Sequence, residues 1–449
     1  MKISWIGSAD RIKHELKQCG EEGHDISLLN DEWDQILIHI KDKDELNRRA
    51  DEFYLKIEKA FLIDGKNKNE PSGWEKIKSQ SNFTDDKIPA FSPEFVEDRI
   101  LGGWLGRSAG CLLGKPVEKT PRAGIKELLQ SNNTWPLSDY VTGIGIPEDL
   151  LQKYPWNRHS GKESLKENIE CMTEDDDMNY PMVNLYAAEL YGEAITTENI
   201  IQSWLEMMPV LSTFTAERVA YLNVLNGIPV DESARYRNPY REWIGAQIRA
   251  DLWGWISPAQ PNRAADFAWR DASLSHTGNG IYGEIFIACA IAASFKYTDM
   301  RDIINEALKF IPQASRLYKA ITYVLSLPVE ETPWEDVLDL LYEKFGQYHW
   351  VHTINNAALV TAALISSKGD FERAVCNVVM GGWDTDSNGA TAGSIMGTIL
   401  GASQLPEKWI SPLKNKIRSS IKGFDNITFT ELAERTVKKS FYLQKKGEQ

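Results

Sequence analysis

Glycine recurs every four residues at two places in this 449-residue chain. Gly102, Gly106, Gly110 and Gly114 form one run, and Gly389, Gly393, Gly397 and Gly401 form the other. A spacing of four places each set on one face of a helix. Glycine inside a helix costs about 1 kcal/mol relative to alanine, so eight such positions need a compensating reason. Close backbone approach of two central helices supplies it, a device best attested inside membranes. The competing reading, a glycine-rich loop cradling phosphate, needs a preceding strand, and neither run has one. The chain is therefore expected to be built around two helices in intimate contact.

The membrane origin of that packing rule calls for a check. Residues 387–406 carry no charge, but they are rich in Gly, Ser, Thr and Asn, whereas a spanning helix wants about 20 mostly apolar residues. The segment reads as a buried helix of a soluble protein. Composition agrees, with 42% hydrophobic and 25% charged residues. The formal net charge of -14 argues against a nucleic-acid backbone or an anionic membrane as partner. The five cysteines are scattered without knuckle or redox spacing, which fits free thiols in a reducing compartment. Residues 1–10 lack a basic region followed by an apolar stretch, so no signal peptide is read there, and a cytoplasmic location is expected.

Apolar residues at helical spacing mark most of the chain. Residues 21–60 read as two amphipathic helices, 64–93 as a polar linker, and 93–449 as the main domain. Within that domain helices are expected over 180–191, 197–208, 281–295, 300–310, 334–345, 355–365 and 371–379. Segments 229–239 and 253–261 read as ordered loops. Strand-like alternation is scarce, and the fold class is all-α.

Two acidic clusters lie beside these small-residue runs. One is Thr173-Glu174-Asp175-Asp176-Asp177, and the other is Asp384-Thr385-Asp386-Ser387. Crowded carboxylates repel one another unless a cation or water offsets them. Acid at the lip of a buried helix points to a divalent cation held through oxygen. The stretch 384–389 satisfies the front half of an EF-hand loop, but Ile395 stands where the closing glutamate belongs. A DxDx phosphatase motif would follow a strand that this chain does not supply. Helix capping by Asp and Ser explains one acid but not two. Glu118 follows Pro116, just past the first glycine helix, where the helix dipole disfavours an anion. The segment around His276, Gly278, Asn279 and Tyr282 reads as a tight polar turn before a helix, able either to contact substrate or to cap. His352 with Asn355 and Asn356 has the same two readings. Trp156, Trp243, Trp253 and Trp255 are able to stack on a base or pack in the core.

In this order the three acidic stations resemble the ADP-ribosylglycohydrolase family. Its members open with G-x-x-x-G-D-x-x-G-x-x-x-E, and residues 106–118 run from Gly106 to Glu118 with Cys111 at the aspartate position. Its T-D-D-T motif is matched by Thr173-Glu174-Asp175-Asp176, although Asp177 permits a register one residue later. Its final G-G-D-x-D-T is matched by Gly382-Trp383-Asp384-Thr385-Asp386-Ser387. The resemblance covers about residues 95–440 and leaves 1–92 as a helical extension.

The resemblance implies an all-helical fold with two Mg²⁺ (or Mn²⁺) ions held by Thr173, Glu174, Asp175, Asp384, Asp386 and Ser387. Glu118 or Asp176 would take a proton from water during hydrolysis of an ADP-ribosyl or related ribosyl bond. His276, Gly278, Asn279 and Tyr282 would contact the substrate, a small molecule or a protein-linked ADP-ribosyl group. Two competing readings remain at this point, a non-enzymatic crystallin-like or ligand-binding relative and a metal-dependent phosphohydrolase.

Overall fold

The computed structural model describes residues 3–61, 69–84 and 88–447. They contain helices, turns and three isolated bridges but no strand, so the all-α expectation holds. No described helix is long and apolar enough to cross a membrane.

The two glycine runs lie on helices Pro93–Gly114 and Thr385–Leu400. These pack antiparallel with their backbones in contact. A Cβ placed on Gly110 would sit 1.9 Å from the carbonyl oxygen of Gly389, and one on Gly106 would sit 2.2 Å from that of Gly393. Gly102 opposes Gly397 in the same way. The fourth rung differs from the other three. Gly114 meets Thr385, whereas Gly401 takes φ +77° as the C-cap of its helix, its backbone also lying against Gly102. Both helices are buried along most of their length. Around them pack further helices, including Asp176–Tyr191, Asn279–Ala293, Thr353–Ser367 and Phe371–Met380.

Most sequence-read helices occur with ends shifted by a few residues. Two stretches read as loops contain short helices, Val230–Ser233 and Asp251–Trp255. Trp253 and Trp255 are fully buried core residues. Within the expected linker, residues 62–68 and 85–87 lie outside the described residues. Its described part includes helix Trp74–Ser79, where Trp74 stacks on Trp269 at 5.7 Å.

Ahead of these lie Ser8–Glu21, Ser27–His39 and Lys43–Phe61, one helix more than the sequence reading found. They share a small core of Ile12, Leu16, Trp33, Phe53, Tyr54 and Ile57, separate from the main one. Ion pairs fasten them to the main body. Arg241 reaches Glu15 at 2.7 Å and Glu22 at 2.8 Å, and Arg237 reaches Asp51 at 3.0 Å.

Candidate metal and active site

The antiparallel ladder decides what meets what. The C-terminal end of helix Pro93–Gly114 lies against the N-terminal end of helix Thr385–Leu400, and the Thr385 hydroxyl donates to the Gly114 carbonyl at 2.8 Å. Lys115 and Glu118 follow on one side, with Asp384 as N-cap and Asp386 in the first turn on the other. Asp175 is the N-cap of helix Asp176–Tyr191 and accepts from the Asp177 amide at 3.0 Å. Both acidic clusters thus stand at helix N-termini, where the partial positive charge favours anions.

A hydrogen bond joins the clusters. The Ser387 hydroxyl donates to Asp177 Oδ2 at 3.0 Å, across 210 positions of sequence. Together the clusters line a cavity of about 110 Å³ that also exposes Lys115, Glu118, Asn157, Glu217, Trp5, Trp243 and Trp350. Two groups of three ligand atoms form here, one from Asp175 and Asp177 with the buried Cys111 behind the lining, the other from Glu118, Asp384 and Asp386. Within each group the atoms lie within 4.8 Å of one another.

Burial raises the free energy of these charges, and their neighbours add to it. Desolvation, then the Glu118 charge, pushes the Asp384 carboxyl up to about 7. The same causes together with Asp384 lift Asp386 well above the carboxylate range. Burial also raises Asp177 against the pull of Arg107. No described lysine, arginine or histidine ion-pairs with Asp384 or Asp386, whereas Lys115 pairs with Asp175 and Arg107 pairs with Asp177 at 3.1 Å. Asp384 and Asp386 together with Glu118 therefore make an oxygen-only donor set that a hard divalent cation fits.

Of the residues singled out in the sequence, Glu118, Glu174, Asp175, Asp176, Asp384, Asp386 and Ser387 line this cavity. Thr173 is buried beside it, its hydroxyl 3.2 Å from that of Ser164. Glu174 is exposed, and its carboxylate accepts from Asn179 at 2.8 Å.

His276, Gly278, Asn279 and Tyr282 do not line it, because other partners fix them. His276 is buried, with Nδ1 2.8 Å from the Ser275 hydroxyl, and burial together with the Arg249 charge holds its pKa well below the ordinary value. Asn279 donates to Glu242 Oε1 at 2.8 Å, and the Tyr282 hydroxyl donates to the Pro71 carbonyl at 2.5 Å. Gly278 takes φ +48° at the head of helix Asn279–Ala293. Glu242 in turn pairs with Arg316 at 2.7 Å, so this region is an ion-paired anchor. His352 caps helix Thr353–Ser367 by accepting from the Ile354 amide at 3.2 Å.

Sequence reading missed four contributors. Lys115 sits one turn beyond Cys111 on the same helix face, and that spacing was its only signal. Arg107 is fully buried, holding Asp177 and Asp251 from inside the first glycine helix. Glu217 lies under Gly245 and pairs with Arg249 at 2.9 Å, yet burial pushes it up to about 7. Trp5 comes from the N-terminal extension, at φ 72°, and packs edge-on against Tyr240 and Trp243 at 5.6 and 6.1 Å.

Fold and site together define a class: all-helical proteins whose buried acids gather at helix N-termini around an oxygen-lined pocket. The sequence profile of the ADP-ribosylglycohydrolase family matches residues 92–444, and the chain belongs to that family of hydrolases. An uncharacterized protein of Archaeoglobus fulgidus is 26% identical over 325 residues, covering 72% of this chain and 93% of its own. A solved structure described as an ADP-ribosylglycohydrolase-related protein complex superposes with a TM-score of 0.48 at 17% identity, covering 77% of this chain and 99% of that one. The profile begins at residue 92, so the first four described helices lie outside the matched region.

Proposed function

We propose that this chain hydrolyses an ADP-ribosyl or related ribosyl glycosidic bond with the help of a divalent cation, Mg²⁺ or Mn²⁺, in the acidic cavity. The observation that carries the reading is the convergence of Glu118, Asp384 and Asp386, buried or half-buried, with no lysine, arginine or histidine among the described residues ion-paired to Asp384 or Asp386. These three residues would hold the ion. A divalent cation bound there would supply Lewis acidity and lower the pKa of a coordinated water.

The chain's own residues supply the rest. Asp176 stands half-buried on the first turn of its helix and faces the cavity, the place of a group that accepts the water's proton. Asn157 donates to the Glu118 carboxylate and fixes its direction. Trp5, Trp243 and Trp350 form an apolar wall on which a ring would lie and from which water is excluded. With an oxocarbenium-like transition state at the ribose, the surrounding carboxylates stabilise the positive charge that develops.

Purified protein with Mg²⁺ would be screened against ADP-ribosyl-arginine, ADP-ribosyl-serine, O-acetyl-ADP-ribose and simple nucleosides. Release of the ribosyl product from at least one of them, abolished in Asp384→Asn, is the expected result. Turnover that survives Asp384→Asn and chelation would refute the reading.

One observation favours a second reading, a ligand-binding relative without turnover. Cys111 stands where the family motif has an aspartate, and Lys115 already pairs with Asp175, so part of the acidic set has its charge met without a catalytic cation. Binding of ADP-ribose with no turnover in the same screen would select it. The phosphohydrolase reading is dropped, since Asp384 stands at the head of a helix and the described residues hold no strand beneath it.

A further inference from the structure

We propose that Lys115 is a built-in cation that takes the place of one divalent ion, so that the cavity accepts a single metal, held by Glu118, Asp384 and Asp386. The inference rests on the reading of this cavity as a metal site.

The two groups of potential ligands differ in how their charge is already met. In the group of Cys111, Asp175 and Asp177, every carboxylate oxygen has a protein donor. Asp175 Oδ2 accepts from the Lys115 ammonium, and its Oδ1 accepts from the Asp177 amide at 3.0 Å. Asp177 Oδ1 accepts from Arg107 at 3.1 Å, and its Oδ2 accepts from Ser387 at 3.0 Å. The third candidate ligand is a thiol, a soft donor that Mg²⁺ and Mn²⁺ disfavour against oxygen. Cys111 also stands where the family motif has an aspartate, so this half lacks one hard oxygen.

In the group of Glu118, Asp384 and Asp386 the balance is reversed. Among the described residues only Lys119 pairs with it, reaching Glu118 at 3.3 Å, and that lysine side chain is 42% exposed. No described lysine, arginine or histidine ion-pairs with Asp384 or Asp386, and the Lys115 ammonium that also acts on Asp386 is bonded to Asp175, so the three carboxylates keep a charge deficit that a dication offsets.

Lys115 is also held in place. Its side chain is 3% exposed, and its ammonium donates to the Glu174 carbonyl at 2.5 Å as well as to Asp175. It begins the turn Lys115–Val117 directly after Gly114, whose backbone lies against Thr385. The glycine ladder therefore fixes the root of the lysine, and Asp175 fixes its tip. An ammonium so placed neutralises one acid and occupies the space beside it, and charge repulsion keeps a second dication away.

Mn²⁺ titration of the chelator-stripped full-length protein tests this, read by calorimetry and by electron paramagnetic resonance. The expected stoichiometry is about one ion per chain, with the hyperfine-split signal of an isolated Mn²⁺. Lys115→Gln is expected to raise it to about two ions, with an exchange-coupled spectrum. Two coupled ions in the unmodified protein would overturn the inference while leaving the hydrolase reading intact. One ion in both proteins would also overturn it, since Lys115 would then exclude nothing. No binding in either would remove the metal-site reading on which it rests. Should Lys115→Gln fail to fold, the spectrum of the unmodified protein alone decides between one ion and a pair.

Discussion

Gly110→Ala puts the glycine ladder to the test, because two known effects oppose each other there. Alanine in a helix is favoured over glycine by about 1 kcal/mol, so an exposed position would gain stability. Here the added methyl carbon would lie 1.9 Å from the Gly389 carbonyl oxygen, with the Gly389 carbonyl carbon at 2.5 Å. A comfortable carbon-to-oxygen contact is about 3.3 Å or more, so the contact must open by about 1.4 Å. Overpacking a core costs typically about 1–3 kcal/mol. The obstruction is main chain and has no rotamer to change, which puts the cost near the upper end. After the helix gain is subtracted, a net loss of about 2 kcal/mol is expected. Urea unfolding followed by circular dichroism reads it as a lower midpoint at unchanged slope. A midpoint that stays put or rises would show that the backbones do not touch, and the account of the fold would fail with it. Gly114→Ala extends the test to the site, since its methyl would lie 2.1 Å from the Thr385 carbonyl and 2.5 Å from the Asp386 amide. It should weaken Mn²⁺ binding about tenfold or more, the scale seen when ligand orientation is disturbed.

Asp384→Asn should lose divalent-ion binding yet leave the metal-free protein more stable, since it removes a buried charge from beside Glu118; a metal-free form less stable than the parent would contradict this. The pH dependence follows from the same group. An aspartate at about 7 in the folded state and about 3.9 unfolded keeps its proton longer when folded, so folding takes up protons between those values. Stability of the metal-free protein should therefore fall as pH rises from about 4 to about 7, and Mn²⁺ affinity should rise over the same range. Thermal melts with chelator and with saturating Mg²⁺ check both signs, the slope flattening when metal is bound. Trp5→Ala should remove part of the wall on which the ring lies and raise KM for whichever ADP-ribosyl compound is turned over, with kcat little changed; an unchanged KM would show that the N-terminal wall does not touch the substrate.

What was legible in the sequence was whatever repeats or clusters along it. The glycine spacing of four gave the central helix pair, because a 3.6-residue turn converts that period into one face. The acidic clusters gave the floor of the cavity, because each crowds charge within a few residues. The partners that tune those charges were not legible. Lys115 is 60 positions from Asp175, Arg107 is 144 from Asp251, and single basic residues on mostly apolar helices carry no local mark of what they will face. Period alone does not say where a helix ends, and Gly401, read with the helical run, is its C-cap at positive φ. The turn at His276 and Asn279 was drawn toward substrate because its residue types suit binding. The Asn279 amide is already taken by Glu242 and by the Leu317 N–H, both distant in sequence, while the His276 ring is buried against Ser275.

The ladder and the site are one device. An antiparallel pair brings the end of one helix to the beginning of the other, so residues following Gly114 must face residues around Thr385. Had the helices run parallel, Glu118 would lie a whole helix length from Asp384, about 1.5 Å for every residue between. Direct backbone contact removes the side-chain layer that normally separates helices by about 8–10 Å. Short side chains such as Asp386 and Ser387 then reach across to partners on neighbouring elements, as the Ser387 bond to Asp177 does. A bulky residue at any rung would push the acids apart, lower their mutual repulsion and with it the pull on a cation. Glycine is thus retained at a cost of about 1 kcal/mol per rung because it sets the charge density from which the chemistry follows.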